Sequence, residues 1–241
     1  MYKMEGRIRY SECGADNKIK IPAIINYFQD CTTENSEKLG VGFAYLREKK
    51  RAWILNSWQV SVKRRPEVGE KIEVSTWATG FKGVFGPRDF MLKTADGEEL
   101  ACAHSLWVYV DTETGRPVKP DQEEIDTYEV EEPLPIASVS RKIKLPEEAQ
   151  VVDTLTVRKY HIDTNNHVNN SKYIELAYEA VPEDFDVTGI RVEYKKAAVY
   201  GDKMILKCAM EEDKIYVGLC DEEGNPYAIV VMSYQKEKIK T

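Results

Sequence analysis

Trp58-Gln-Val-Ser-Val-Lys-Arg-Arg-Pro-Glu-Val-Gly69-Glu-Lys-Ile-Glu-Val74 has a counterpart 132 positions later, Ile190-Arg-Val-Glu-Tyr-Lys-Lys-Ala-Ala-Val-Tyr-Gly201-Asp-Lys-Met-Ile-Leu206. Each copy reads as an alternating strand, a basic pair, a glycine turn followed by an acid and a lysine, and a second strand. A second match follows in the same order. Asp96-Gly97-Glu-Glu-Leu-Ala-Cys-Ala-His-Ser-Leu-Trp-Val-Tyr-Val110 resembles Glu223-Gly224-Asn-Pro-Tyr-Ala-Ile-Val-Val-Met-Ser-Tyr234, 127 positions on. In both, a turn glycine joins the two strands of a hairpin. The chain is therefore read as one unit run twice.

A helix precedes the strands in each half. In the first, Pro22 suits a helix start and Ile21, Ile24, Ile25 and Phe28 form a helical stripe. In the second, Asn169 or Asn170 can cap a helix carrying Tyr173, Ile174, Ala177 and Ala180. A long helix followed by a curved antiparallel sheet that wraps it is the hotdog arrangement. The expected fold is α+β, a tandem (double) hotdog with two long helices against a continuous curved antiparallel sheet. Residues 1–120 would form the N-terminal hotdog, free to shape a ligand pocket, and 151–241 the C-terminal one. Residues 121–150, acidic at Asp121-Gln-Glu-Glu124 and broken by Pro133, Pro135 and Pro146, are expected to be a surface linker.

Composition narrows the function. Apolar residues at 42% and charged residues at 31% suit a globular chain. No apolar run approaches the roughly 20 residues of a membrane span. Met1-Tyr-Lys-Met-Glu-Gly-Arg7 carries no apolar signal region, which argues against export. Five cysteines (Cys13, Cys31, Cys102, Cys208 and Cys220) without CxxC pairing read as reduced packing thiols of a cytoplasmic protein. A net charge of −7 argues against nucleic acid as a partner. Local basic clusters remain at Lys49-Lys50-Arg51, Lys63-Arg64-Arg65, Arg141-Lys142 and Lys195-Lys196, either solvated surface or a docking face for an acidic carrier.

Only the second half holds Asp163, Asn165 and His167 at alternate positions. In an extended segment these side chains share one face. The segment then enters a helix start at Val168-Asn169-Asn170, whose backbone N–H groups, Val168 and Asn169 first, can stabilise an oxyanion. His167 has the intrinsic proton affinity of a general base near neutrality. Asp163 can orient it, or act as base or nucleophile, and Asn165 can hold a water or a carbonyl oxygen. The plainer alternative is that Asp and Asn stand here only to turn and cap the chain. The matching first-half stretch, Gly14-Ala-Asp16-Asn17-Lys18-Ile19, lacks a histidine, which favours a single site.

The run Asp163-Thr-Asn165-Asn-His167-Val168-Asn169-Asn170-Ser-Lys172-Tyr173 resembles the active-site run of plant and bacterial acyl-acyl carrier protein thioesterases. Val192-Glu193-Tyr194-Lys195-Lys196 resembles that family's Glu-Tyr-Arg-Arg strand, and Trp53, Trp58–Arg65, Gly69 and Ser105-Leu-Trp107-Val108 also look familiar. The resemblance implies a double hotdog that hydrolyses a fatty acyl group from acyl carrier protein, ending fatty-acid chain elongation. It implies Asp163, Asn165 and His167 as catalytic residues and no cofactor or metal. The chain would act as a monomer built as a pseudo-dimer, or as a homodimer. One departure is visible: plant members follow the basic pair with Glu-Cys, and here Ala197 and Ala198 stand there. The proton handling then falls to Asp163 and His167, or to Glu175 as an auxiliary acid. Rival readings are an acyl-coenzyme A thioesterase, an acyl-binding module with little turnover, and a hotdog hydratase. Trp53, Trp58, Trp77 and Trp107 read mostly as core or sheet packing, with an acyl contact as the alternative for Trp53 or Trp58; His104 reads as structural, His161 as structural with support behind the motif as the alternative, and Gly80–Arg88 as a bend or bulge in a curved sheet.

Overall fold

The structure, a computed structural model, describes residues 1–137, 139–182 and 185–236, with side chains through Tyr234. The chain divides into two compact units: Met1–Asn56 with Val62–Ala137, and Ser57–Ser61 with the residues from Ser138 onward.

The first unit holds β1 (Tyr2–Arg7), α1 (Ile21–Lys38), α2 (Phe43–Glu48), most of β2 (Arg51–Val62), β3 (Lys71–Ala78), β4 (Phe85–Thr94), β5 (Glu99–Asp111) and α3 (Gln122–Asp126). Its strand order is β1-β3-β4-β5-β2, antiparallel where β1, β3, β4 and β5 meet. Pro22 lies in the first turn of α1, where its missing N–H costs nothing. The α1 stripe Ile24, Ile25 and Phe28 is fully buried, and the Phe28 ring sits 5.1 Å from that of Phe90.

The second unit holds β6 (Gln150–Thr156), α4 (Asn170–Tyr178), β7 (Phe185–Tyr194), β8 (Lys203–Met210), β9 (Lys214–Cys220) and β10 (Pro226–Lys236). Ser57–Ser61 pairs with β7, and the order continues β7-β10-β9-β8-β6, antiparallel throughout. Tyr173, Ile174 and Ala177 form the buried face of α4, which packs on β9 and β10. Each unit is thus a helix on an antiparallel sheet, as the repeat implies. Both hairpin glycines close turns with positive φ, 93° at Gly97 and 88° at Gly224, backbone that favours glycine. Between β3 and β4, Gly83 and Val84 form a tight turn closed by a Lys82–Phe85 bridge.

Two details depart from expectation. The second helix has nine residues where α1 has eighteen. It ends at Tyr178, and Pro182 follows shortly after, a residue that cannot continue a helix. Residues 121–137, expected to cross the outside as linker, are docked on the first unit. Glu124 is 1% exposed and accepts hydrogen bonds from Trp53 Nε1 and Tyr109 Oη. Glu131 N donates to Ala78 O at 3.0 Å, Trp77 Nε1 to Glu132 O at 3.1 Å, and Leu134 N to Asp89 Oδ2 at 2.7 Å. An acid in a polar run reads as solvated, and only its buried donors reveal otherwise.

Asp89, 1% exposed, also meets His104 Nδ1 through Oδ1. That partner raises the imidazole above its ordinary value against the opposing effect of burial. A raised folded-state value means the contribution is complete below the unfolded value of 6.5 and fades as pH rises through the folded one. The urea midpoint of the chain should therefore fall on the alkaline side of pH 6.5, and His104→Gln should flatten that slope. Parallel pH curves for the two proteins would rule the pair out as a contributor.

Candidate active site

The second-unit motif begins at a 3₁₀ turn, Lys159–His161, and ends at the start of α4. Between them, Ile162 and Val168 form an antiparallel bridge, and residues 163–167 make a tight turn. This corrects the expectation of an extended segment. Asp163 Oδ1 accepts Asn165 N–H at 2.7 Å, a side-chain-closed turn of the kind aspartate favours. Asn166 takes a left-handed conformation, φ 61°, and Asp163 N donates to His167 O at 2.8 Å. Turn closure, not strand alternation, sets the positions of Asp163, Asn165 and His167. Asn165 and His167 are exposed and Asp163 is half-buried. Among the described residues no hydrogen bond joins one of the three side chains to another.

The first unit contains the same turn without the same chemistry. Cys13 bridges Ile19, Gly14 N donates to Lys18 O at 2.9 Å, and Asn17 has φ 63°. Gly14, Asp16 and Lys18 replace Asp163, Asn165 and His167. Arg65 pairs with Asp16 there. By the 132-residue repeat, Arg65 is the counterpart of Ala197, so a longer side chain at 197 has the reach to approach residue 165.

The amides read as oxyanion donors already have partners. Val168 N donates to Ala198 O and Asn169 N to His161 O, both at 2.9 Å. Asn169 caps α4: its Oδ1 accepts Ser171 N and Ser171 Oγ, each at 2.9 Å, and its carbonyl accepts Lys172 N. These groups build the site's frame. Glu175 is exposed and paired with Lys172 at 2.6 Å. Ala197 is exposed and Ala198 buried. His161, 4% exposed, accepts Arg158 N on Nδ1 at 3.0 Å, and burial first, then Lys172, pushes its pKa down. It is a neutral support behind the turn.

Two groups escaped the sequence reading. Tyr173, expected only as helix core, offers its hydroxyl to Ala198 N–H at 2.9 Å. Asp202 Oδ2 accepts Val199 N at 3.0 Å and Tyr227 Oη at 3.2 Å. Its signal was present in the repeat, where Glu70 closes the equivalent turn onto Glu67 N. The Glu-Tyr of the motif-like strand also has structural partners: Glu193 accepts Ile143 N at 2.8 Å, and Tyr194 Oη donates to Asn170 O at 2.9 Å.

The first unit has a half-open pocket lined by Trp53, Phe81, Gly86, Trp107 and Tyr128, with Arg88 at its wall. Arg88 is buried, donates to Asn35 Oδ1 at 3.0 Å and Thr76 Oγ1 at 3.1 Å, and lies 5.6 Å from the Tyr128 ring centre. Trp58 is 2% exposed, belongs to the second unit and is not among these lining residues. The basic clusters are largely compensated. Lys63 pairs with Glu99, Arg64 with Glu70 and Glu98, Arg65 with Asp16, Lys195 with Glu193 and Lys196 with Asp221. Arg158 and Lys159, exposed just before the motif, have no ion pair among the described residues. No helix among the described residues is long and apolar enough to cross a membrane.

Residues 1–128 match the family model for the acyl-ACP thioesterase N-terminal domain, and residues 144–236 that for the C-terminal domain. The chain is 31% identical to a chloroplastic palmitoyl-acyl carrier protein thioesterase of Cuphea hookeriana, over 81% of this chain and 51% of that protein. It is 29% identical to a dodecanoyl-[acyl-carrier-protein] hydrolase of Umbellularia californica, over 78% and 54%. The chain thus spans about half the length of the curated relatives it matches. An acyl-ACP thioesterase structure from Bacteroides thetaiotaomicron superposes with a TM-score of 0.89 at 23% identity, covering 97% of each chain. The 12:0-ACP thioesterase of Umbellularia californica gives 0.87 at 23%, covering 98% of this chain and 97% of that one. These two share the fold.

The cap geometry carries a direct expectation. Asn169→Ala should cost about 1 kcal/mol of stability, the usual value of a lost N-cap, whereas Asn169→Asp should retain most of it. Denaturant unfolding of the three proteins checks this, and an alanine variant as stable as the parent would contradict the capping role.

Proposed function

Because the chain belongs to the acyl-ACP thioesterase family, we propose that it hydrolyses fatty acyl thioesters of acyl carrier protein, releasing the free fatty acid and ending chain elongation. The observation that carries this reading is the duplicated turn. The same backbone is built twice, and only the second copy bears the carboxylate, carboxamide and imidazole at its three exposed or half-exposed positions.

In this reading His167 takes a proton from the attacking water, helped by the negative charge of Asp163 on the same turn. The exposed carboxamide of Asn165 donates to the thioester oxygen as it becomes an oxyanion, since the neighbouring Val168 and Asn169 amides are engaged. The protonated imidazole then returns its proton to the leaving thiolate of the phosphopantetheine arm. The aromatic pocket of the first unit holds the acyl chain, with Trp53 as one wall. The acidic carrier approaches Arg158 and Lys159, together with lysines of the compensated clusters; exposed ion pairs are weak enough to exchange partners. Five free thiols suit a reducing, cytoplasmic setting. Ala197 supports a second reading, an acyl-binding module with little turnover, because it removes a carboxylate from a position that can reach the turn.

Release of free thiol and fatty acid from a panel of acyl carrier protein thioesters tests the proposal, and tight binding without release would favour the second reading. His167→Ala should lower kcat by about 100-fold or more with the fold intact. Asn165→Ala should also act on kcat, because its contact strengthens in the transition state. Ala197→Glu should raise kcat if the added carboxylate meets the turn. kcat/KM on the carrier-bound substrate should fall between low and high salt, as expected of steering by local charge; indifference to salt would point to a small thioester such as acyl-coenzyme A.

A further inference from the structure

The internal duplication supplies a control for the catalytic turn. Val168 N–H donates to Ala198 O in the second unit, and Ile19 N–H donates to Pro66 O in the first, both at 2.9 Å. The turns they anchor have the same bridge and the same left-handed asparagine. The second unit adds one bond that the first cannot make. Ala198 N–H donates to Tyr173 Oη at 2.9 Å, whereas Pro66 has no N–H and Ile24 stands at the helix position of Tyr173. Folding the turn therefore does not require this bond. Its addition coincides with the unit that carries Asp163, Asn165 and His167.

We infer that Tyr173 is a positioning residue for the catalytic turn, acting through the Ala198 N–H to hold residues 197–198 and the Val168 anchor in one register. The inference rests on the hydrolase reading above. Tyr173 is 2% exposed and cannot itself meet substrate. Its ring is wedged edge-on against Tyr194, 5.7 Å between centres, and Tyr194 in turn ties to Asn170 O at the head of the same helix. The hydroxyl is therefore fixed from behind. Because its oxygen accepts from Ala198, its own proton is directed away from that amide. Burial, partly opposed by the Ala198 bond and aided by the carboxylates of Asp163 and Asp202, pushes the phenol up to about 12, so it stays protonated. A neutral hydroxyl bonded to the Ala198 N–H suits a site in which residue 197 is an alanine, with no polar side chain to hold the turn.

Tyr173→Phe removes the acceptor and Ala198→Pro removes the donor, the latter reproducing the residue that the first unit uses at this point. With acyl carrier protein thioester as substrate, each should lower kcat about tenfold, roughly the value of one hydrogen bond, with KM within about twofold. The double variant should be no worse than either single one, because both remove the same interaction. Independently of turnover, hydrogen exchange at the Val168 amide should quicken about tenfold in both variants while that at Ile19 stays unchanged. Parental kcat with parental Val168 exchange in Tyr173→Phe would overturn the inference, as would multiplying losses or equal acceleration at Ile19, which marks general destabilisation. If the parent protein hydrolyses nothing, the hydrolase reading fails on that result alone, and the exchange comparison still decides whether Tyr173 holds the turn.

Discussion

The site depends on one backbone hydrogen bond, Val168 N–H to the carbonyl of Ala198. It fixes the end of the 163–167 turn to the segment that follows β7, so that a nine-residue helix can begin at Asn170. The Asx bond of Asp163 closes the turn, and Asn169 caps the helix. Each of these bonds spends a polar group that a sequence reading would otherwise assign to chemistry. The groups left over at the turn are the Asn165 carboxamide and the His167 imidazole, both facing solvent, with the half-buried Asp163 carboxylate beside them.

Much of the fold was legible because hydrophobic alternation and turn glycines survive duplication better than individual side chains do. Gly69 and Gly201 both require left-handed backbone, with φ 82° and 93°, and therefore marked the repeat. The duplicated turn at 13–19 and 162–168 was harder to recognise in full: of its central positions, only Asn17 and Asn166 share an identity. The conformation is set by backbone bonds that many side chains tolerate. Alternate spacing predicts an extended segment for Asp163, Asn165 and His167, and the chain instead forms a closed turn there, because the Asp163 carboxylate captures the Asn165 amide.

What remained hidden in the sequence was pairing. Lys63, Arg64 and Arg65 form a conspicuous basic run, yet each meets a carboxylate from elsewhere in the first unit. Glu124 lies in an acidic stretch that composition assigns to solvent, yet it is buried between an indole and a phenol. Arg88 is the inverse case: a guanidinium satisfied by a carboxamide, a hydroxyl and an aromatic face, with no carboxylate pairing among the described residues. Most of these contacts join residues a dozen or more positions apart and leave no local pattern.

The buried Glu124 also moves the natural seam of the gene. Composition changes near residue 120, and a fusion or split designed there would look clean on paper. It would leave the Trp53 indole N–H and the Tyr109 hydroxyl without their acceptor, and would strip away the strands of backbone that Ala78 and Asp89 hold. A breakpoint beyond Ala137 keeps those partners in one piece, so a recombination event that inherits this unit intact must carry the acidic stretch with it.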